Sequence, residues 1–542
     1  STLFGVRKGA SEADPDILFS VSEEENYNIL STSFRFRYLD SSGDGFILSS
    51  AASVKFFDNS GSAVGEIKDY GWGLPDISQA VAKGDEIWIA DHKHGFVRGK
   101  DMAEFSIITV NGPASNHVAA ISSDHGITVV CGGGTDQSFN GLGIPFSVSV
   151  HSGSLFRNFV SETVTDAMKA VIMPGNGFHF FVSSWGGGLI EFRDNTPVNH
   201  YNGTNSPLSA AYGTPGEINI SGMAVDKNGN LWMVHPGPGN NIKVLKPDKS
   251  WISLPALSNT ALTGDMIITP RNLKIVIIPG GNGLFVLDDN NTPELSGDDR
   301  SRRIIIRDKD GSVINNALSL AADLDGNIWV GTDRGPVVYY SGTNFLEGDP
   351  AATRIRIPRD DGSGLADYLL GTTGISCIAV DGSNRKWLGT NGSGAWLITD
   401  GTGSVAANFS VKNSPLLSDT ITSIAVDDVS GEVWFGTPAG LISFRGIATG
   451  GAGDFSGIYP FPNPVREDFD GNVTITGLMR NTTVKITDVS GNLVYETLSE
   501  GGQATWDLTT YKGRRVSTGV YVVFCSDSEG KQSGVTKILV VR

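Results

Sequence analysis

The sequence is poor in cysteine, in basic residues and in long apolar runs. Its three cysteines, Cys131, Cys377 and Cys525, lie far apart in 542 residues, which excludes a disulfide framework and a clustered thiolate metal site. No apolar stretch reaches the ~18 residues that a membrane-spanning helix needs, so no direct membrane span is expected. Lysine and arginine number 41 against 58 acidic residues, a net charge of −17. Nucleic acid requires a concentrated basic surface, and this acidic balance argues against one. Neither a His-Glu-x-x-His zinc motif nor a phosphate-binding Gly-rich loop ending in Lys-Ser/Thr is present. His92 and His94 flank Lys93 after Asp91, but no third metal ligand is identifiable, and the other histidines are scattered singly. No metal and no cofactor are expected. The chain starts at Ser1 with no basic segment followed by an apolar one, as expected of mature, processed or truncated material whose leader lies out of view.

Glycine is what the chain has in excess: 69 residues, well above the ~7% of ordinary proteins. There is no three-residue period, so these are turn glycines among many short strands. Aliphatic, aromatic and Cys residues make up 39%, enough for real cores. One pattern then recurs. Ala224-Val225-Asp226 leads through Asn228-Gly229-Asn230 to Trp232. Ala322-Asp323-Leu324-Asp325-Gly326-Asn327 leads to Trp329-Val330-Gly331-Thr332. Val380-Asp381 leads to Trp387-Leu388-Gly389-Thr390, and Val426-Asp427 to Trp434-Phe435-Gly436-Thr437. Each copy reads as strand, tight Asp/Asn/Gly turn, Trp-bearing strand, Gly-containing turn and third apolar strand. Weaker copies place the Trp-equivalent position at Ile47, Trp88, Thr128, Phe181 and Ile275.

The nine copies recur about every 48 residues, the ~40–50 of a four-stranded propeller blade. Period-two alternation excludes a solenoid of helix pairs. The seven copies from Thr128 to Trp434 predict a complete seven-bladed propeller over 100–445. The two earlier ones predict part of a second propeller over 1–99, expected to be truncated because two blades do not close a ring. Alternation points the repeated tryptophans between blades, whereas a sugar-stacking ladder would need them exposed.

After Ser443 the composition changes. A Gly-rich stretch predicts a flexible linker over 446–457. About seven short alternating strands over 458–542 then predict a small Ig-like β-sandwich. Its marks are Pro462-Asn463-Pro464, a hairpin turning at Asp488 to Gly491 before Leu493-Val494, a strand from Gly519 to Tyr521 and beyond, and a terminal strand from Lys537. Together these resemble the C-terminal signal domain of type IX secretion cargo, while the blades resemble the two-component-regulator type of propeller repeat. The combination resembles the propeller-bearing surface component of the type IX attachment complex.

That resemblance implies two seven-bladed propellers before the signal domain, so that about five blades would precede this sequence. It implies export through the periplasm to the cell surface and outer membrane of a Bacteroidetes cell. The partners it implies are a sortase-like protease, the outer-membrane proteins of the attachment complex, and anionic lipopolysaccharide. It implies a non-enzymatic role. The alternatives are a secreted polysaccharide-processing propeller enzyme exported by the same signal, and a glycan-sensing propeller.

The residues offer few sites of their own. Asp323-x-Asp325-Gly326-Asn327 starts like a calcium loop, but the twelfth position is Arg334 instead of Glu, and the same place is a blade turn in the other copies. The sialidase Asp box is absent. One basic feature stands out: Arg300, Arg302, Arg303 and Arg307 recur one blade later as Arg354, Arg356 and Arg359. Guanidinium forks suit phosphate and carboxylate groups, so these are the candidate anionic-glycan residues. The plainer reading is protection of an edge strand by charge.

Overall fold

The structure is a computed structural model that describes residues 2–11, 14–24, 26–32, 35–43, 45–136, 138–314, 316–359, 362–399 and 403–542. The described residues form strands and turns only, and they contain no helix long and apolar enough to cross a membrane. The chain divides into two compact units, 1–111 and 112–542.

The first unit holds three antiparallel sheets in chain order. Two carry the expected copies: Ile47 and Trp88 lie on the second strands, Gly45–Ser50 and Glu86–Asp91, of four-stranded sheets. The third sheet was not visible as a repeat. It is built from Leu3–Arg7, Ile17–Val21 and Tyr27–Ser31, and its central strand has neither the Trp nor the Asp-Gly turn. Phe36, Phe46, Leu48 and Phe57 pack with Leu18 in one core, and Ile47, Ile77, Ile89 and Val97 in another. The boundary expected at 99/100 falls inside the strand Gly95–Lys100, whose partner Glu104–Ile108 completes that sheet.

The second unit begins with seven sheets, blades 1 to 7, with inner strands Ala120–Asp124, Ala167–Met173, Gly222–Val225, Met266–Ile268, Ala317–Ala322, Ile375–Val380 and Ser423–Val426. Every Trp-equivalent position from Thr128 to Trp434 lies on its blade's second strand. Blade 7 has three strands among the described residues. Neighbouring blades share apolar cores, as sheets that cannot cover themselves must, except that blade 6 packs on its blade 5 side against Ile355, Ile357 and Leu369 of the connecting segment. The ring closes between blades 7 and 1 through Val118, Ile121, Val130, Ala425 and Trp434. There the Ile121 N–H donates to Ser423 Oγ at 2.9 Å, and Thr422 Oγ1 donates to the Val118 carbonyl at 2.6 Å.

Each residue of the repeat has a structural reason. Asp226, Asp323 and Asp381 accept turn N–H groups through Oδ1. Through Oδ2 they accept the indole N–H of Trp232, Trp329 and Trp387 at 2.9, 3.1 and 3.3 Å. Turn and interior Trp are thus fixed by one carboxylate. Thr332, Thr390 and Thr437 donate to the carbonyls of Gly335, Gly394 and Gly440, closing the turn into the third strand. The glycine before that Thr marks close approach: a side chain at Gly389 would run into Cys377 and Ile421, and one at Gly436 into Val118 across the closure. Trp232, Trp329, Trp387 and Trp434 are buried, as alternation predicts, while Trp88 of the first unit is half-buried.

The unit ends in a β-sandwich. Tyr459–Phe461, Val473–Thr476 and Gln503–Trp506 form one sheet; Leu493–Leu498, Thr483–Thr487, Gly519–Ser526 and Ser533–Val540 form the other. Its core centres on Trp506, Ile475, Ile486, Val523 and Ile538. The preceding segment is not the flexible linker its glycines predict. Ala448 and Thr449 are buried, the Thr449 carbonyl accepts the Gly502 N–H at 2.9 Å, and the Gly450 and Ala452 N–H groups donate to Asp428 and Leu478. The glycines serve here as close-packing residues that let three backbones meet.

Candidate functional site

Between Trp329 and Trp387 the repeat is stretched, and the structure shows why. A hairpin of Arg356–Pro358 and Ala366–Tyr368 is inserted after blade 5's outer strand, Thr353–Arg354. Its apolar side packs Ile355 and Ile357 against Ile375, Leu388 and Ile398 of the following blade. Blades 5 and 6 consequently do not meet over their whole height. A cavity of about 540 Å³ remains, bounded by Trp329, Val338 and Tyr340 of blade 5, the hairpin with Arg356 and Tyr368, and Lys386 and Thr399 of blade 6.

The cavity floor is ionic and buried. Lys386 Nζ lies 3.1 Å from Asp323 Oδ2, with the two side chains 2% and 1% exposed, and 5.1 Å from the centre of the Trp329 ring. Burial pushes the Asp323 carboxyl up, but hydrogen bonds from Asn327, Trp329 and Lys386 outweigh it and hold the group below its usual range. Between blades 3 and 4 Lys274 plays the corresponding part, 4.1 Å over Trp232 and paired with Asp289 at 2.5 Å. There the core is filled by Leu254, Leu257 and Met266.

Two of the seven candidate arginines meet at the cavity. The Arg354 guanidinium lies 3.6 Å from the Tyr368 ring centre and donates to the Arg334 carbonyl at 3.1 Å. Arg356 lies 5.6 Å from the same ring and 3.8 Å from Asp310. Among the described residues Arg354 has no carboxylate partner. The other five are placed elsewhere. Arg300, Arg302 and Arg303 lie on blade 4's outer strand, Arg300–Ile304, where Arg300 pairs with Asp288, Arg302 with Asp349, and Arg303 donates to Thr260. Arg307 donates to the Gly311 carbonyl, and Arg359 pairs with Asp367 at 2.6 Å. The outer-strand set therefore fits edge protection, and the cavity pair fits ligand contact.

Other candidates resolve as structure. Asp91 accepts the Lys93 and His94 N–H groups, and His94 packs edge-on to Trp72. In the Asp323 loop the Asp323 carboxylate accepts the Asp325 and Asn327 N–H groups, as it does in the other blade turns. Asp124, His125 and Asp428 bring ligand atoms within 4.8 Å of one another, a grouping that sequence reading missed because its members come from blades 1 and 7, at opposite ends of the ring's chain.

A second cavity, about 270 Å³, is lined by Asp166, Trp185, Glu217 and four glycines. Burial raises the Asp166 carboxyl against the opposing Gly143 N–H, and its Oδ1 has no partner. No motif marks it.

The signal-domain residues are placed by the sandwich. Asn463, between Pro462 and Pro464, pairs with the last strand: its Nδ2 donates to the Lys537 carbonyl and its Oδ1 accepts the Leu539 N–H, both at 2.9 Å. Asp488 accepts the N–H groups of Ser490 and Asn492 in the turn through Gly491. Tyr521, two residues after Gly519, donates to the Ser517 carbonyl at 2.8 Å.

Comparison with known proteins adds the following. The family described as the secretion system C-terminal sorting domain matches residues 459–541. No curated protein matches the chain in sequence. The solved structure of PorZ, described as an essential bacterial surface component of the type IX secretion system of Porphyromonas gingivalis, is similar at 28% identity and a TM-score of 0.70. The match covers 97% of this chain and 73% of that one. A virginiamycin B lyase from Staphylococcus aureus is 12% identical over 62% of this chain and 96% of its own, with a TM-score of 0.40. The extracellular domain of a hybrid two-component system, BT3049 of B. thetaiotaomicron, is 13% identical over 99% and 91%, with a TM-score of 0.29. The resemblance to PorZ therefore holds over nearly the whole chain, and the segment 459–541 is a secretion system C-terminal sorting domain.

Proposed function

We propose that this chain is a non-enzymatic cell-surface component of the type IX secretion system that holds anionic lipopolysaccharide and presents it to a sortase-containing attachment complex. The observation that carries the reading is the likeness to PorZ along 97% of the chain, together with the sorting domain at 459–541. The sorting domain supports export through the periplasm, and the PorZ likeness supports the surface role. The cavity between blades 5 and 6 is the proposed glycan site. Arg354 offers a guanidinium with no carboxylate partner among the described residues, Arg356 a weakly held second one, and Tyr368, Tyr340 and Trp329 apolar ring surface. Sugars present apolar C–H faces to aromatic rings while their charged substituents go to guanidinium forks.

The test is a pull-down of the full chain with membrane extracts from cells that make anionic lipopolysaccharide and from cells that do not. Retention of lipopolysaccharide and of attachment-complex proteins from the first extract alone supports the proposal. Arg354→Ala and Arg356→Ala are then expected to lower retention about tenfold each, the ~1.4 kcal/mol of a charged hydrogen bond. Equal retention from both extracts, or none, refutes it. The alternative of a polysaccharide-processing enzyme rests on the Asp166 cavity, where a carboxyl with a raised proton affinity sits beside Trp185 and Glu217. Turnover of acidic polysaccharides, abolished by Asp166→Asn, would favour that reading.

A further inference from the structure

The described charged side chains lining the inter-blade cavity come in equal numbers: Asp308, Asp310, Asp323 and Asp325 against Lys309, Arg354, Arg356 and Lys386. A neutral lining is a poor anion site, so where each carboxylate finds its partner matters. Asp323 is cancelled by Lys386 in the floor. Asp310 faces Arg356. Asp308 is buried and spends Oδ1 on the turn N–H groups of Asp310 and Ser312. Among the described propeller residues, Asp325 receives the neutral Asn384 amide, at 2.9 Å. Its cation comes from the sorting domain, where Arg480 Nη2 lies 2.6 Å from Asp325 Oδ1. The other terminal nitrogen of Arg480, Nη1, is buried without a hydrogen-bond partner among the described residues, while the Arg480 and Asp325 side chains as a whole are 30% and 44% exposed, so the pair is partly screened by solvent and salt.

The sorting domain is held in the position this requires. Glu500 accepts Ser383 Oγ at 2.8 Å and pairs with Arg385 at 3.3 Å, and Arg385 in turn pairs with Asp381 of the blade 6 turn at 2.8 Å. The Thr449–Gly502 and Ala452–Leu478 hydrogen bonds tie the connecting segment to the same edge of the sandwich. Arg480 is thus fixed against the rim of the cavity by contacts on both sides of it.

We infer that Arg480 of the sorting domain is an electrostatic part of the cavity: by neutralising Asp325 it leaves the described lining net positive, so that the docked domain raises the affinity for an anionic saccharide. This deepens the glycan-binding reading and rests on it. Arg480 acts through Asp325 and is a positioning residue, not a ligand contact.

The test titrates the full chain with a size-defined dextran sulfate oligosaccharide and with uncharged dextran of the same length. Arg480→Ala is expected to weaken dextran sulfate binding about threefold at ~0.15 M salt, an effect that fades at high salt. Asp325→Asn removes the charge that Arg480 cancels and is expected to strengthen binding by a similar factor. The double variant loses one charge of each sign and should bind like the parent chain. The opposite signs separate this proposal from simple buttressing, in which losing either side of the contact weakens binding alike. Weakening by both single variants, or no change with Arg480→Ala, overturns the inference while leaving the glycan reading in place. If the parent chain does not bind dextran sulfate, or binds it equally after Arg354→Ala, the glycan reading fails and this inference with it.

Discussion

Replacing Lys386 by Met tests whether the cavity floor is held by charge. The two side chains are of similar length, so the packing volume is nearly kept while the ammonium is lost. Breaking a buried ion pair by removing one partner costs ~3–5 kcal/mol, because the other charge stays buried. Asp323 is better provided than most, since it keeps the N–H groups of Asp325 and Asn327, the Asn327 amide and the Trp329 indole. These retained bonds keep the carboxylate partly compensated and lower the cost toward ~2 kcal/mol. Loss of the bond to the Asn384 carbonyl, 2.6 Å, and of the contact with the Trp329 ring restores ~1–2 kcal/mol. The net expectation is a loss of about 3 kcal/mol at pH 7. The sign with pH follows from Asp323. A carboxyl held below its usual 3.8 contributes stability above that pH and loses it as pH falls through the folded value. Without Lys386 the carboxyl has less of this to lose, so parent and variant should converge below pH 4. Denaturant unfolding followed by tryptophan fluorescence, at pH 7 and in steps to pH 3, measures both. Lys274→Met, in the filled interface between blades 3 and 4, is the parallel case. A Lys386→Met loss no larger than the ~0.5 kcal/mol of an ordinary surface substitution refutes the argument.

Three further outcomes are expected. Glu191 is fully buried, which pushes its carboxyl up, but Lys249 at 2.6 Å, Asn199 at 2.8 Å and Tyr201 at 3.0 Å outweigh this and bring it from 4.5 down to about 2. Glu191→Gln should therefore cost roughly 3 kcal/mol at neutral pH, with the gap closing as pH falls from 4.5 toward 2, read by unfolding titrations at each pH. Gly436→Ala places a methyl against Val118 at the ring closure and should lower stability by ~1–3 kcal/mol, seen as faster hydrogen exchange in the strands Ala120–Asp124 and Ser423–Val426. Asp166→Asn should stabilise the chain at neutral pH by up to about 1 kcal/mol. A carboxyl raised by burial is penalised once it ionises, so the gain should vanish below pH 3.8, which a melting series against pH would show.

The propeller was legible because its repeat is made of residues that do fixed local jobs. Asp fastens turn and Trp, the Gly admits the neighbouring blade, and the following Thr closes the next turn, all within one short stretch of chain. The first sheet, 3–31, was missed because its apolar strands carry none of these residues. Its Phe36, Phe46 and Leu18 core needs only hydrophobicity, which has no signature. The glycines of 446–453 were misread for a related reason. Flexible chain and close backbone packing ask for the same residue, and only the tertiary partners, Gly382, Gly501 and Gly502, tell the two apart.

The cavity shows where local reading ends. Arg354 and Arg356 were singled out as part of a basic recurrence with Arg300, Arg302 and Arg303, yet the recurrence joins two different settings. On blade 4 the arginines decorate an outer strand and pair with acids there. On blade 5 the strand stops at Arg354, and Arg356 already belongs to a hairpin that wedges the blades apart. Charge pattern alone is the same in both, and what differs is whether the neighbouring blade arrives. The ionic floor of the cavity joins Asp323 of one blade to Lys386 of the next, and its rim joins Asp325 to Arg480, which belongs to another fold altogether. A propeller brings such residues together by stacking one repeat on the next, so its sites arise at joints between units, where no single repeat carries the pattern. The features to seek in a chain of this kind are therefore the irregular spacings between good copies. The longest step, from Trp329 to Trp387, is the one that holds the hairpin, the cavity and the contact with the sorting domain.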